Sequence, residues 1–246
     1  MSNFESRFKA KESQYRNVLE RRSLYAIRVD GRAFKNYTSK FDKPFDTKFM
    51  EGMNQTCVAL CNEVAGAILG YVQSDEISVI FSDLSGEKTE MWFGGKQDKI
   101  ISIAASTATG ALINALGSNP TPMFDARILK LDNVNEAEDY LAWRSGDAFK
   151  NAISMAANSR YSSKQLDGMN TPQRISLLEK EQPKLYASLP EGFKHGRLAM
   201  KEDYKGIVEF FHKGDQEKKV IEVTKTRWKV DSFKVNNASS VLQMFK

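Results

Sequence analysis

The sequence predicts an α+β fold of ferredoxin-like arrangement, an antiparallel sheet with helices on one face, and three observations carry that prediction. Short runs of large and branched apolar residues alternate with segments whose apolar residues recur at three- and four-residue steps. These segments come in the order strand, helix, strand, strand, helix, strand, which places the first and third strands at the centre of the sheet. The chain has 246 residues, 41% hydrophobic and 27% charged, enough to bury a core of that size.

Leu24 to Val29 (LYAIRV) is the first strand, and Asp30-Gly31 ends it in a tight turn. Phe49, Met53, Cys57, Leu60 and Val64 then mark an amphipathic helix between Asp46 and Val64. Ile68 to Gln73 and Ile77 to Phe81 read as a β-hairpin joined by Ser74-Asp75-Glu76, with Asp75 at its acidic tip. Ile100, Ile103, Ala104, Thr107, Ala108, Ala111, Leu112 and Ala115 mark the second helix, and a Gly-Ser-Asn-Pro-Thr-Pro breaker separates it from the strand FDARILKL at Phe124. This topology makes Asp30 and Asp75 neighbours.

Residues 1–133 form the catalytic unit in this reading, and 134–246 a helical and β-hairpin extension packed on it. From Asn135 the spacing of Ala137, Leu141, Arg144, Ala148, Ala152 and Met155 predicts a long helix, weakened at Ser145-Gly146-Asp147. Thr171-Pro172 predicts a further helix start with Thr as cap. Gly196 to Phe233 alternates as a basic β-hairpin around Lys213-Gly214-Asp215.

The net charge of +5 suits a polyanionic partner without demanding one. Cys57 and Cys61 lie on one helix face and imply no disulfide framework. His195 and His212 have no Cys partners nearby, which argues against zinc and against a Ser-His-Asp arrangement, and both read as surface residues. Met1 to Lys11 carries Glu5, Arg7, Lys9 and Lys11 with no apolar run behind them, so the expectation is a cytoplasmic protein without a membrane partner.

The chemistry centres on the Asp-Gly turn and the Ser-Asp-Glu tip. Carboxylates on adjacent strands can bridge a pair of divalent cations, and the Gly31 carbonyl can approach a metal because no side chain shields it. Each element alone also reads as an ordinary turn. Glu76 points to the opposite side of an alternating strand from its neighbour and is expected to support the site instead of binding metal.

RVDGRAFKNYTSKFDKPFD (Arg28 to Asp46) and GYVQSDEISVIF (Gly70 to Phe81) resemble the signatures of the tRNA(His) guanylyltransferase family. The resemblance continues in order through WFGGKQDKIISIAAS (Trp92 to Ser106), FDARI (Phe124 to Ile128) and DYLAWRSGDAFKNAISMAANSRYSSKQLDG (Asp139 to Gly168). It implies a polymerase-like palm working in the 3'-5' direction, with tRNA and ATP, GTP or other nucleoside triphosphates as substrates, and a homotetramer. Residue by residue it implies that Asp30 and Asp75, as catalytic carboxylates, hold two Mg2+ ions with the Gly31 carbonyl. The amides of Arg32, Ala33 and Phe34 would meet the triphosphate, joined by Lys43 and Ser74, while Lys96 and Lys99 would grip the activating nucleotide's phosphates.

One stretch departs from the pattern. The eukaryotic branch carries His-Ile-Asn-Asn-Leu-Tyr-Asn where this chain reads Phe149 to Met155, retaining only Asn151. That run looks more like the guanylyltransferase-like branch, whose members repair truncated tRNA 5' ends by template-directed addition. Lys150 and Asn151 are candidates for RNA or nucleotide contact, or a solvated helix face. Other readings are a palm-fold nucleotidyltransferase or cyclase acting on free nucleotides, and a nucleotide- or RNA-binding protein without turnover.

Overall fold

The computed structural model describes residues 3–211 and 218–245. The elements in chain order are α1 (Asn3–Ser13), β1 (Leu24–Gly31), α2 (Phe34–Tyr37), α3 (Thr47–Glu63), β2 (Ala67–Gln73) and β3 (Glu76–Ser82). There follow α4 (Gln97–Leu116), β4 (Phe124–Leu131), α5 (Val134–Asn158), α6 (Ser163–Leu166), α7 (Thr171–Glu181), α8 (Pro183–Ser188) and α9 (Glu191–Lys194). The long strands β5 (Arg197–Phe211) and β6 (Lys218–Ser232) precede α10 (Val235–Leu242).

The sheet order is β4-β1-β3-β2-β5-β6, so β1 and β3 are indeed central to the first four strands. All pairings are antiparallel, and β5 adds to the same sheet beside β2 through Gly70↔Ala199 to Val72↔Arg197. The hairpin of the C-terminal half therefore continues the palm sheet. Lys213-Gly214-Asp215 and His212 lie outside the described residues.

Strand alternation gives the sheet two apolar faces. On one, Tyr25, Ile27, Val29, Val72, Ile77 and Val79 pack with Met53, Cys57 and Leu60 of α3 and Ile100, Ala104, Ala108 and Leu112 of α4. This is the expected helical face. Leu24, Ala26, Tyr71 and Ile80 point the other way and are covered by Val134, Ala137 and Leu141 of α5 and by Ala238 and Leu242 of α10. Helices thus cover both faces, because the second half of the chain supplies the layer that a four-stranded palm lacks. Among the described residues, α4 alone is long and apolar enough to cross a membrane, and its apolar face is spent on α3 and the sheet.

Two local expectations change. α5 runs unbroken through Ser145-Gly146-Asp147, since Arg144, Ser145 and Ala148 are buried and tertiary packing outweighs the roughly 1 kcal/mol that glycine costs a helix. The cap of α7 is Asn170, not Thr171: its side chain accepts from the Gln173 amide at 3.1 Å in a reciprocal capping box. The C-terminal end of α5 forms a separate small core, where Ile153, Ala156 and Ala157 meet Leu166, Leu178 and Leu189.

Candidate active site

The antiparallel register sets Asp30 opposite Glu76 on one side and opposite Asp125 on the other. Ser74 and Asp75 form the turn between β2 and β3, with Ser74 at φ 45°, and the Gly31 amide donates to the Asp75 carbonyl at 3.1 Å. That bond ties the end of β1 to the hairpin tip. A Cβ at residue 31 would lie 2.7 Å from Asp75 Oδ2 and 2.5 Å from Phe34 Cδ2. Only glycine lets the Asp75 carboxylate lie against the main chain there. The structure therefore brings Asp30, Gly31 and Asp75 together.

This donor set fits magnesium. Among the described residues no group of three or more His, Cys, Asp or Glu side chains forms a metal cage. A pair of carboxylates with a backbone carbonyl instead suits an ion that keeps waters and takes substrate phosphate oxygens as further ligands. Burial first, then the charges of Asp30 and Glu76, push the Asp75 carboxyl above its ordinary range, while its own amide and the Ser74 hydroxyl oppose the shift. A divalent cation would relieve that cost.

Glu76 is taken by another partner. Arg144 of α5 donates through Nε to Oε1 at 2.7 Å and through Nη2 to Oε2 at 2.8 Å, a buried bidentate pair, and its Nη1 reaches Asp147 at 2.9 Å. Glu76 thus anchors the acidic tip to α5, the supporting role expected of it. Arg127 of β4 sits 4.0 Å from Asp30 Oδ2 and donates to Asp125 at 2.7 Å. Asp125, Arg127 and Arg144 were missed as site residues. The alternation of FDARI places the first two on the face of Asp30, and Arg144 stands as a charge inside an apolar helical stripe.

Ala33 adopts a left-handed conformation, φ 55° and ψ 35°, at the start of α2. The first amides of that short helix have no intrahelical acceptor. The Arg32 amide is not among the free ones, because it donates to the Met123 carbonyl at 2.8 Å. Beside the turn opens a cleft lined by Phe34, Phe41, Lys43, Phe49, Ser74, Asp75, Met155, Phe193 and Arg197. Lys43 is exposed at its rim and donates to the Thr38 carbonyl at 3.2 Å.

Lys96 and Lys99 lie elsewhere. Val18 pairs with Lys96 and Leu19 bonds Gly95, just before β1 begins, so α4 starts at the end of the sheet opposite Asp30. At about 3.3 Å per residue, the eight residues of β1 separate the two ends by roughly 26 Å. Within one chain these lysines do not meet the cleft; both are exposed, and Lys99 Nζ sits 4.6 Å from the Phe93 ring centroid. The phosphate role that the family resemblance implies for them has no counterpart in the cleft around Asp75.

Asn151 is exposed on α5, four residues before Met155, which lines the cleft, and seven after Arg144, which holds Glu76. That spacing puts it on the stripe facing the site. Lys150 is also exposed and pairs with Asp147 at 3.7 Å. His195 is only partly at the surface: its ring stacks on Phe149 with centroids 5.1 Å apart, and its carbonyl accepts from Tyr71 and Ser145. Cys57 and Cys61 are buried free thiols on one face of α3.

The same architecture occurs in solved structures. A bacterial tRNA(His) guanylyltransferase-like protein in complex with ATP superposes with a TM-score of 0.83 at 30% identity over 99% of both chains, and one in complex with GTP gives 0.77 at 29%. An uncharacterised protein of Acanthamoeba polyphaga mimivirus is 30% identical over 80% of this chain and 76% of its own length. tRNA(His) guanylyltransferase 1 of Arabidopsis thaliana is 28% identical over 79% of this chain, which spans 37% of that longer protein. The model of the family described as tRNAHis guanylyltransferase matches residues 5–132, the stretch holding Asp30, Gly31, Lys43, Asp75 and the palm strands. By sequence match and by fold, the chain belongs to the tRNA(His) guanylyltransferase family.

Proposed function

We propose that this chain is a magnesium-dependent nucleotidyltransferase that adds nucleotides in the 3'-5' direction to the 5' end of tRNA, by template-directed repair of truncated ends. The observation that carries the reading is the Asp75 carboxylate held against Gly31, beside Asp30, at the wall of a cleft. Bound magnesium ions would neutralise the triphosphate and activate the attacking hydroxyl. The chain's own residues do the rest. Asp30 and Asp75 fix the ions, the turn at Ala33 and Phe34 presents amides to phosphate, and Lys43 and Ser74 flank the same cleft. ATP and GTP are the nucleotides in the structures of bacterial relatives, which supports triphosphate substrates here.

The templating part rests on α5. Phe149 to Met155 replaces the histidine-containing run of the eukaryotic branch beside an intact carboxylate pair, so the transfer chemistry is kept while its surroundings differ. Watson-Crick pairing with the opposite strand would place the incoming 3'-hydroxyl, and a mispaired base would lose near-attack geometry. A homotetramer belongs to the same proposal. Changing the facing nucleotide in a 5'-truncated tRNA tests it: the added base should change accordingly. Guanylate added equally well opposite every base, and better to full-length tRNA(His), would replace repair with untemplated guanylate addition.

A further inference from the structure

Arg197 opens β5 and lines the cleft, yet among the described residues no carboxylate hydrogen-bonds its guanidinium. It is 6% exposed, and its hydrogen bonds go to neutral oxygens: Nε to Asn54 Oδ1 at 2.6 Å and Nη1 to the Gly192 carbonyl at 2.8 Å. Nη2 is buried with no partner among the described residues. A guanidinium taken out of water ordinarily pairs with an anion, because an uncompensated buried charge is strongly destabilising. Burial lowers the Arg197 pKa to about 10, which leaves it fully protonated at neutral pH.

The setting is built and not incidental. A Cβ at Gly192 would meet Arg197 Cγ at 2.8 Å, so this glycine makes room for the side chain and supplies its carbonyl. Asn54 turns its oxygen toward Arg197 while its amide nitrogen donates to Glu51 at 3.1 Å. The pairing Val72↔Arg197 puts Arg197 two residues along the neighbouring strand from Ser74, which shares the cleft with Asp75. The guanidinium is thus fixed at one end and unsatisfied at the other, within the pocket that holds the acidic tip.

We propose that Arg197 is a phosphate-binding residue of this cleft, its unengaged Nη2 donating to a phosphate oxygen of a bound nucleoside triphosphate. The inference rests on the reading of the cleft as the nucleotide site. The Glu51 carboxylate acts on Arg197 only at longer range, with Asn54 between them, so a triphosphate supplies the direct anionic partner, and a planar guanidinium suits phosphate oxygens.

Titration calorimetry with GTP and magnesium, repeated with guanosine, separates phosphate from base. Arg197→Met should bind GTP about 10- to 100-fold more weakly, the range of a charge-assisted hydrogen bond, with Arg197→Lys intermediate and guanosine unchanged. GTP affinity within about twofold of the unmutated protein overturns the inference, as does an equal loss for guanosine. A crystal structure of the unmutated chain with GTP is immune to folding defects in the variants. Nη2 within about 3.2 Å of a phosphate oxygen supports the assignment, and Nη2 facing the base or solvent refutes it. If GTP fails to bind the unmutated chain, the nucleotide-site reading falls and Arg197 with it; normal binding by both proteins sinks only the role of Arg197.

Discussion

Replacing Arg144 by Met would remove the cation and keep most of the side-chain volume, leaving the Glu76 carboxylate, 6% exposed, with no hydrogen-bond partner among the described residues. Breaking a buried ion pair from one side costs about 3–5 kcal/mol. For a chain of this size each kcal/mol lowers Tm by roughly 2–4 °C, which gives a fall of about 6–20 °C. Glu76→Gln in the same background removes the stranded charge, so the double variant should recover part of that loss, and the coupling should emerge from a double-mutant cycle by urea and thermal unfolding. Because Glu76 adjoins Asp75, turnover of Arg144→Met should fall even at temperatures where it is folded. A loss under about 1 kcal/mol, or strictly additive single effects, would refute the claim that this pair anchors the acidic tip.

Asp75→Asn should abolish nucleotide addition yet raise the stability of the metal-free protein at neutral pH. Burial lifts the folded-state pKa of Asp75 above its ordinary 3.8, so the native state binds the proton more tightly and the metal-free protein loses stability as pH rises through that folded value. The Asn variant should lack this slope in a pH series of unfolding curves; an identical slope would remove Asp75 as its source. Gly31→Ala should cost about 1–3 kcal/mol, the usual price of overpacking, and should weaken magnesium-dependent activity by displacing Asp75 and Phe34, with calorimetry and turnover as the checks. Lys43→Ala should raise the KM for triphosphate more than that for tRNA, while Lys96→Ala and Lys99→Ala leave triphosphate KM unchanged. Steady-state titrations of each substrate decide between those placements.

The palm was legible because its signals are local and periodic. The short apolar run LYAIRV and the strand-like FDARILKL mark strands that the structure bounds at Leu24–Gly31 and Phe124–Leu131, and Asp-Gly and Ser-Asp mark the turns that carry the acids. The joining of β5 to β2 was not legible, since no pattern in GRLAM says which sheet edge it will meet. The same holds for the placement of α5 over the second face. The polar α1 shows too little periodicity to separate it from a loop. At the site, Asp30, Gly31 and Asp75 converge by topology alone, whereas the Arg144–Glu76 and Arg197–Asn54 contacts are side-chain pairings across 68 and 143 residues. Lys96 and Lys99 carry a role through the family resemblance alone, and within one chain the start of α4 sets them at the end of the sheet away from Asp30.

The most direct test of the carboxylate pair is a 5'-extension assay on truncated tRNA with magnesium and all nucleoside triphosphates, comparing the unmutated chain with Asp30→Ala, Asp75→Ala and the double variant. Metal-holding acids act as a unit, so each single change should abolish addition while the protein stays folded, and the double variant should be no worse than either. Near-normal extension by either single variant would contradict the assignment of the metal site to Asp30 and Asp75.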